Sequence, residues 1–337
     1  MRKSLFDRMG REDGCRRLSQ AFYSRVANEP ILRPLFPGKS LRCATEEFAA
    51  FLIQFFGGED EQSQYRWWLS LRQSHARFRI EESQRLAWLG QMDLALRETF
   101  CADEDVAALL DFFRMASLYL IGEDAGPPIH PELATLWQRQ LRLEKLMSDV
   151  ANGEDAAAIL SADLFLDRPS VMVGILAAML EADRPVLTEY VASLIHSNPD
   201  LSRHRFNGRS LLHFAAATAC LPVARILLRL GIDPNVADSG GHTPLYRAAG
   251  GRDSGEIVRE LVAAGAAVNH CGGISRSTPL HEAARFGNTS AALALIELGA
   301  DLNAKDKRGQ TPLMRAKSFR RAKIVEILLL VAELKHE

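Results

Sequence analysis

Residues 208–317 say one nine-residue phrase four times: GRSLLHFAA (208–216), GHTPLYRAA (241–249), RSTPLHEAA (276–284) and GQTPLMRAK (309–317), spaced by 33, 35 and 33 residues. A period of this length constrains the fold more than any composition. Each copy is too small to bury its own apolar face, so the copies must stack on one another. Each of the first three phrases leads into an apolar segment and a loop: ARILLRLGIDPNVAD, VRELVAAGAAVNHCG and ALALIELGADLNAKD. Thr243, Thr278 and Thr311 suit helix N-caps, and the prolines that follow them suit the first helical position. Gly231, Gly265 and Gly299 fall where a second helix ends and a left-handed residue is needed. Leu227, Leu261 and Leu295 recur on the face predicted to be buried between copies.

This pattern resembles the ankyrin-repeat family, whose solenoids bind other proteins. The first copy departs from it, with Ser210-Leu211 where Thr-Pro is usual, and the last ends in the polar ELKHE. VASLIHSNPDLSRHR (191–205) echoes ARILLRLGIDPNVAD at an offset of 33, so 169–337 reads as one degenerate repeat followed by four recognisable ones. His213 and His281 occupy the family's usual histidine position. They are expected to bond the backbone of the neighbouring repeat rather than to ligate a metal.

The rest of the chain has another grammar. Of its 25 aromatic residues, 17 lie in residues 1–125. GEDAGPPIHPEL (122–133) carries three prolines in five residues, which block helix continuation and mark a boundary. The expected organisation is a helical domain at 1–125, a linker and helical bridge or cap at 126–168, and the repeats at 169–337. Lys plus Arg number 41 against 42 for Asp plus Glu, so no basic field for nucleic acid exists. The longest apolar run, VMVGILAAML (171–180), is too short to cross a bilayer, and no apolar segment follows the opening MRKSLFDRMGRED. Five scattered cysteines, none spaced as CxxC, suit reduced thiols in the cytoplasm rather than a disulfide framework or a zinc site.

Residues 1–125 read as helices with aromatic faces. Leu18, Phe22 and Val26 share one face; Phe48, Phe51, Leu52 and Phe55 share another, ended by Gly57-Gly58. Trp88, Met92 and Leu96 align on a third, and Val106, Leu109, Leu110 and Phe113 on a fourth. Such stripes suit either a Phe-rich core or the wall of a flat apolar cofactor cavity, and composition alone does not choose. His75, in SLRQSHARFRI, is the only histidine before position 130.

Taken in order, FY (22–23), EPILRPLFP (29–37), FLIQFFGG (51–58), HARFRI (75–80) and AWLGQM (87–92) resemble a truncated haemoglobin, of the group with a tryptophan in the helix after the haem-ligating histidine. The likeness covers residues 3–122 and implies an all-α fold: a two-over-two helical sandwich around haem b, followed here by the ankyrin solenoid. It implies that His75 is the proximal iron ligand, Tyr23 the distal tyrosine and Trp88 the distal tryptophan. Phe36 and Phe48 would pack on the haem, and Phe78 and Ile80 would be the apolar pair after the ligand. Many relatives carry RHAPF where this chain has SHARF, so Ser74 stands in place of an arginine that could hold a propionate. Arg72, Arg77 and Arg79 are the candidates to replace it.

The chemistry of these residue types agrees. A neutral imidazole is the usual proximal ligand of globin iron. Its second nitrogen is expected to donate to the Leu71 carbonyl or to Ser70, which would fix the tautomer. With no second histidine before position 130, distal donors to a gas must come from the Tyr23 hydroxyl and the Trp88 indole. The expected function is reversible binding of oxygen, or another diatomic gas, coupled to a protein partner on the repeats, as a gas or redox sensor rather than an enzyme. A haem enzyme of nitric oxide dioxygenase or peroxidase type, served by an external reductase, is the first alternative. An ankyrin scaffold whose globin fold has lost haem is the second.

Overall fold

The computed structural model describes residues 3–36, 38, 40–58, 70–75, 80–100, 102–123, 126–252 and 254–334. The described residues are all-α apart from one hairpin of two-residue strands and an isolated bridge between Gly272 and Ser277, and the chain divides into two compact units, Met1–Asn152 and Gly153–Glu337. No helix among the described residues is long and apolar enough to cross a membrane.

The first unit contains α1 (Leu5–Met9), α2 (Arg11–Val26), α3 (Arg42–Phe56), α4 (Leu71–His75), α5 (Glu82–Thr99), α6 (Asp103–Leu120) and α7 (Pro131–Asn152). Helix α2 packs against α3 and α5, and α5 packs against α6. The faces read from spacing are those that close the core: Leu18, Phe22 and Val26 on α2, Met92 and Leu96 on α5, Val106, Leu109 and Phe113 on α6. Helix α3 splits its stripe. Leu52 and Phe55 are buried, whereas Phe48 and Phe51 are only partly covered because they face a cavity. Gly57 ends α3 with φ +97°, donating its N–H to the Gln54 carbonyl.

The stretch 126–168, expected as a bridge, is not a body of its own. Its larger part, α7, belongs to the first unit. Trp137 is buried against Phe112 and Tyr119, with ring centroids 6.0 and 5.2 Å apart. The Leu5 N–H donates to both Glu132 carboxylate oxygens at 2.9 and 3.1 Å, and the Ile129 N–H donates to Asp111 at 3.0 Å. Proline therefore breaks the chain between α6 and α7 without separating a domain, since an aromatic anchor follows it.

The second unit is a stack of helix pairs. After α8 (Asp155–Ala162) come α9 (Pro169–Ala182) with α10 (Pro185–Ser197), α11 (Leu211–Ala217) with α12 (Leu221–Arg229), and α13 (Pro244–Gly250) with α14 (Gly255–Ala263). Then follow α15 (Pro279–Phe286) with α16 (Thr289–Glu297), and α17 (Pro312–Ser318) with α18 (Ala322–Leu334). First helices pack on first helices and second on second, and α9 and α10 join this register as the degenerate repeat should. Thr243, Thr278 and Thr311 cap their helices by accepting from the N–H three residues on, each with proline at the first turn. Gly231, Gly265 and Gly299 all have positive φ, and Leu227, Leu261 and Leu295 are fully buried. The hairpin pairs β1 (Arg205–Phe206) with β2 (Arg209–Ser210) in the loop before α11.

His213 and His281 are structural, as expected. Their Nε2 atoms lie 3.0 and 2.9 Å from the carbonyls of His242 and Gln310, one repeat on. A carbonyl can only accept, so each Nε2 carries the proton and each Nδ1 is left to meet Ser210 or Thr278. Desolvation lowers both histidines, His213 to about 4, which keeps them neutral at physiological pH.

Candidate functional site

The partly covered rings of α2, α3 and α5 surround one cavity in the first unit. Its volume is about 190 Å³, below the roughly 300–1,000 Å³ of common small-molecule pockets. Its wall is mostly apolar. Tyr23 meets Phe36 and Phe48 edge-on, at centroid distances of 5.6 and 6.2 Å, and Phe48 meets Trp88 at 6.4 Å. Phe22 and Phe113 back this cluster, at 5.2 and 5.6 Å from Trp88. Four residues singled out from the sequence, Tyr23, Phe36, Phe48 and Trp88, thus come to one place from α2, the turn before α3, α3 and α5.

His75 reaches the same cavity from the end of α4. Its Nδ1 lies 2.8 Å from the Leu71 carbonyl. Because that oxygen only accepts, Nδ1 carries the proton, so ligation of a metal would have to use the Nε2 lone pair. Leu71 is one of the two acceptors expected from the sequence; the other, Ser70, is engaged elsewhere. The Ser74 hydroxyl donates to the same Leu71 carbonyl at 2.7 Å and sits 2.8 Å from Nδ1. Serine at this position therefore braces the imidazole.

Tyr23 and Trp88 both line the wall, and neither the Tyr23 hydroxyl nor the Trp88 indole N–H makes a hydrogen bond among the described residues. Burial, with Glu47 adding to it, pushes the Tyr23 phenol well above its ordinary range, so the hydroxyl remains a donor. Ile80 also lines the wall, while Phe78, Arg77, Arg79, Trp67 and Trp68 lie outside the described residues.

Arg72 is not among the described residues that line the cavity, and its guanidinium sits 4.2 Å from the centroid of the Tyr119 ring. The described cation at the wall is instead Arg85, only 9% exposed, which donates to Glu82 at 2.6 and 2.5 Å and to the Ser117 hydroxyl at 3.3 Å. The hydrogen bond to Glu82 raises Arg85 further, so it stays charged. Sequence reasoning missed it, although Arg85, Trp88 and Met92 stand at i, i+3 and i+7, a cation inside an apolar stripe.

No group of three or more His, Cys, Asp or Glu side chains able to hold a metal occurs among the described residues. An apolar slot, one imidazole of fixed tautomer, donors at the wall and a buried guanidinium for a carboxylate form the donor set that a metalloporphyrin needs. The residues present fit such a group.

Comparison with known proteins separates the two units. Residues 4–118 match the family of bacterial-like globins, and residues 176–271 and 251–336 match ankyrin repeats in three copies. The human ankyrin repeat and SOCS box protein 16 is 36% identical over 129 residues, 38% of this chain and 28% of that protein. The human SH3 and multiple ankyrin repeat domains protein 1 is 44% identical over 92 residues, 27% of this chain and 4% of its own length. The Drosophila melanogaster neurogenic locus Notch protein is 38% identical over 103 residues, 26% of this chain and 4% of its own. The chain spans less than a third of each of these relatives.

Proposed function

We propose, for a chain that joins a bacterial-like globin domain to ankyrin repeats, that the first unit is a haem b protein that binds a diatomic gas, oxygen foremost, at iron held by His75. The observation that carries this reading is the His75 imidazole itself, with Nδ1 pinned to the Leu71 carbonyl and its ring at an aromatic cavity that also receives Tyr23 and Trp88. Haem b would supply a ferrous iron able to bind the gas. His75 would hold that iron through Nε2, Tyr23 and Trp88 would offer O–H and N–H donors to the bound gas, Phe36 and Phe48 would help exclude water, and Arg85 could pair with a propionate. Phe78 belongs to the same proposal on the family pattern alone, and Arg79 as one of the arginines near His75 in sequence that could pair with a propionate.

The repeats are a protein-interaction module, and the partner's identity and the sensing role belong to this proposal. Exposed apolar side chains on the repeats, among them Ile274, Phe286, Met314 and Phe319, support a protein partner. A cytoplasmic setting suits the described cysteines, which are all free thiols.

The test is gas equilibrium against turnover on the haem-reconstituted full chain. Reversible oxygen uptake without steady consumption of nitric oxide or peroxide supports the reading. Sustained consumption with an added reductase, lost in Tyr23→Phe or Trp88→Phe, would replace it by the enzymatic alternative. Partner affinity that is the same with and without gas would remove the sensing role.

A further inference from the structure

The imidazole is fixed by Leu71, and Leu71 is itself fixed from outside the globin match. Helix α7 starts thirteen residues after the matched stretch ends at 118. From α7, Glu144 reaches the first residues of the segment that bears His75. The Ser70 hydroxyl donates to one carboxylate oxygen at 2.5 Å, and the Leu71 N–H donates to the other. Gln140, one turn earlier on α7, donates to Glu144 at 3.2 Å. Ser70, Leu71, Gln140 and Glu144 are each less than a tenth exposed. Leu71 thus gives its N–H to Glu144 and receives the His75 Nδ1–H on its carbonyl.

A second contact ties the same two elements. Arg72 lies over Tyr119, whose ring meets Trp137 of α7 edge-on at 5.2 Å. Trp137, Gln140 and Glu144 stand at i, i+3 and i+7, so one face of α7 makes both ties. The order in space is carboxylate, Leu71, imidazole. A bound carboxylate at that place limits where the Leu71 carbonyl can go, and so where the imidazole points.

We infer that Glu144 is a positioning residue for the His75 ligand, acting through Leu71, and that the proximal side of the iron site is completed by a helix this chain adds to the globin. The inference rests on the haem reading above. Helix α7 ends at Asn152, and the second unit begins with the next residue, Gly153.

The test uses the full chain with Glu144→Ala, Glu144→Gln and Ser70→Ala, and Lys145→Ala as a control on the exposed side of α7. In the ferrous, gas-free protein the iron–histidine stretching band reports the orientation and basicity of His75. It should shift in Glu144→Ala, shift less in Glu144→Gln and Ser70→Ala, and stay in place in Lys145→Ala. Haem loss to an acceptor protein should quicken about tenfold in Glu144→Ala, the scale of lost outer-sphere support. An unmoved band in Glu144→Gln and Ser70→Ala overturns the inference, and these two variants carry the test if Glu144→Ala does not fold. If the wild type takes up no haem, the haem reading fails by itself. Amide exchange in the haem-free protein still reads the clamp: protection at Leu71 and Ser74 that is lost in Glu144→Gln supports it, and unchanged protection overturns it.

Discussion

Replacing Tyr23 with phenylalanine separates what the ring does from what the hydroxyl does. The ring packs against Phe22, Phe36 and Phe48, at centroid distances of 5.1, 5.6 and 6.2 Å, and all three contacts survive in phenylalanine. The hydroxyl has no hydrogen-bond partner among the described residues, so its loss removes no bond among them. Stability of the haem-free protein should change by no more than about 0.5 kcal/mol, the range of a substitution that breaks nothing. Gas binding should respond differently. One donor to the ligand is worth about 1 kcal/mol, or roughly a fivefold faster gas off-rate. Because burial raises the phenol above its ordinary range of about 10, the wild-type off-rate should show no step from Tyr23 between pH 6 and about pH 10. The assay is flash photolysis of the ferrous protein across that range, beside thermal melts of the haem-free form. A Tyr23→Phe variant that melts much lower, or that keeps the wild-type off-rate, would refute the assignment of the hydroxyl to the ligand.

Other consequences follow from the packing and the charges. Trp137→Ala should cost about 3–5 kcal/mol by leaving a cavity between α6 and α7, and should lower the first unit's melting point by about 10 °C in calorimetry; an unchanged melt would mean that α7 is not part of this core. The neutral His213 sets a pH dependence with a definite sign. Its folded value, about 4, lies below the ordinary 6.5, so the unfolded chain binds the proton first and stability falls as pH drops from about 6.5 to about 4. The loss is at most about 3 kcal/mol, and His213→Gln should flatten that slope in urea titrations of the full chain; an equally steep slope in the variant would refute the origin of the effect.

How much could be read in advance depended on how local each signal was. The repeats were legible because capping threonines, prolines and glycines act within a few residues of themselves. So were the aromatic faces of α2, α5 and α6, whose spacing alone selects a side. Phe48 and Phe51 were legible as a stripe but not as a wall, since spacing does not say whether a ring meets a core or a cavity. The family likeness supplied that distinction, and with it the place of Tyr23, Trp88 and His75. Arg85 was passed over because arginine on a helix ordinarily reads as solvated surface. Its burial depends on Ser117, 32 positions away, and on the shape of the slot. Glu144 was hidden for the same reason. Its partners are 74 and 73 positions back, and in LEKL a lone glutamate looks like a surface charge. The prolines near 125 mark a break in the helix, while the compact first unit runs on to Asn152 because Trp137 closes it beyond them.

The central claim is that His75 holds haem iron through Nε2. It is tested most directly by titrating haem into the full-length haem-free protein and into His75→Gly, and recording the Soret and visible bands with and without added imidazole. The account predicts one equivalent bound to the wild type with the spectrum of a histidine-ligated haem. It predicts weakened binding and an altered band in His75→Gly, and recovery of the wild-type spectrum when imidazole fills the space left by the side chain. A wild type that shows no saturable Soret band, or a His75→Gly spectrum identical to wild type, would contradict it.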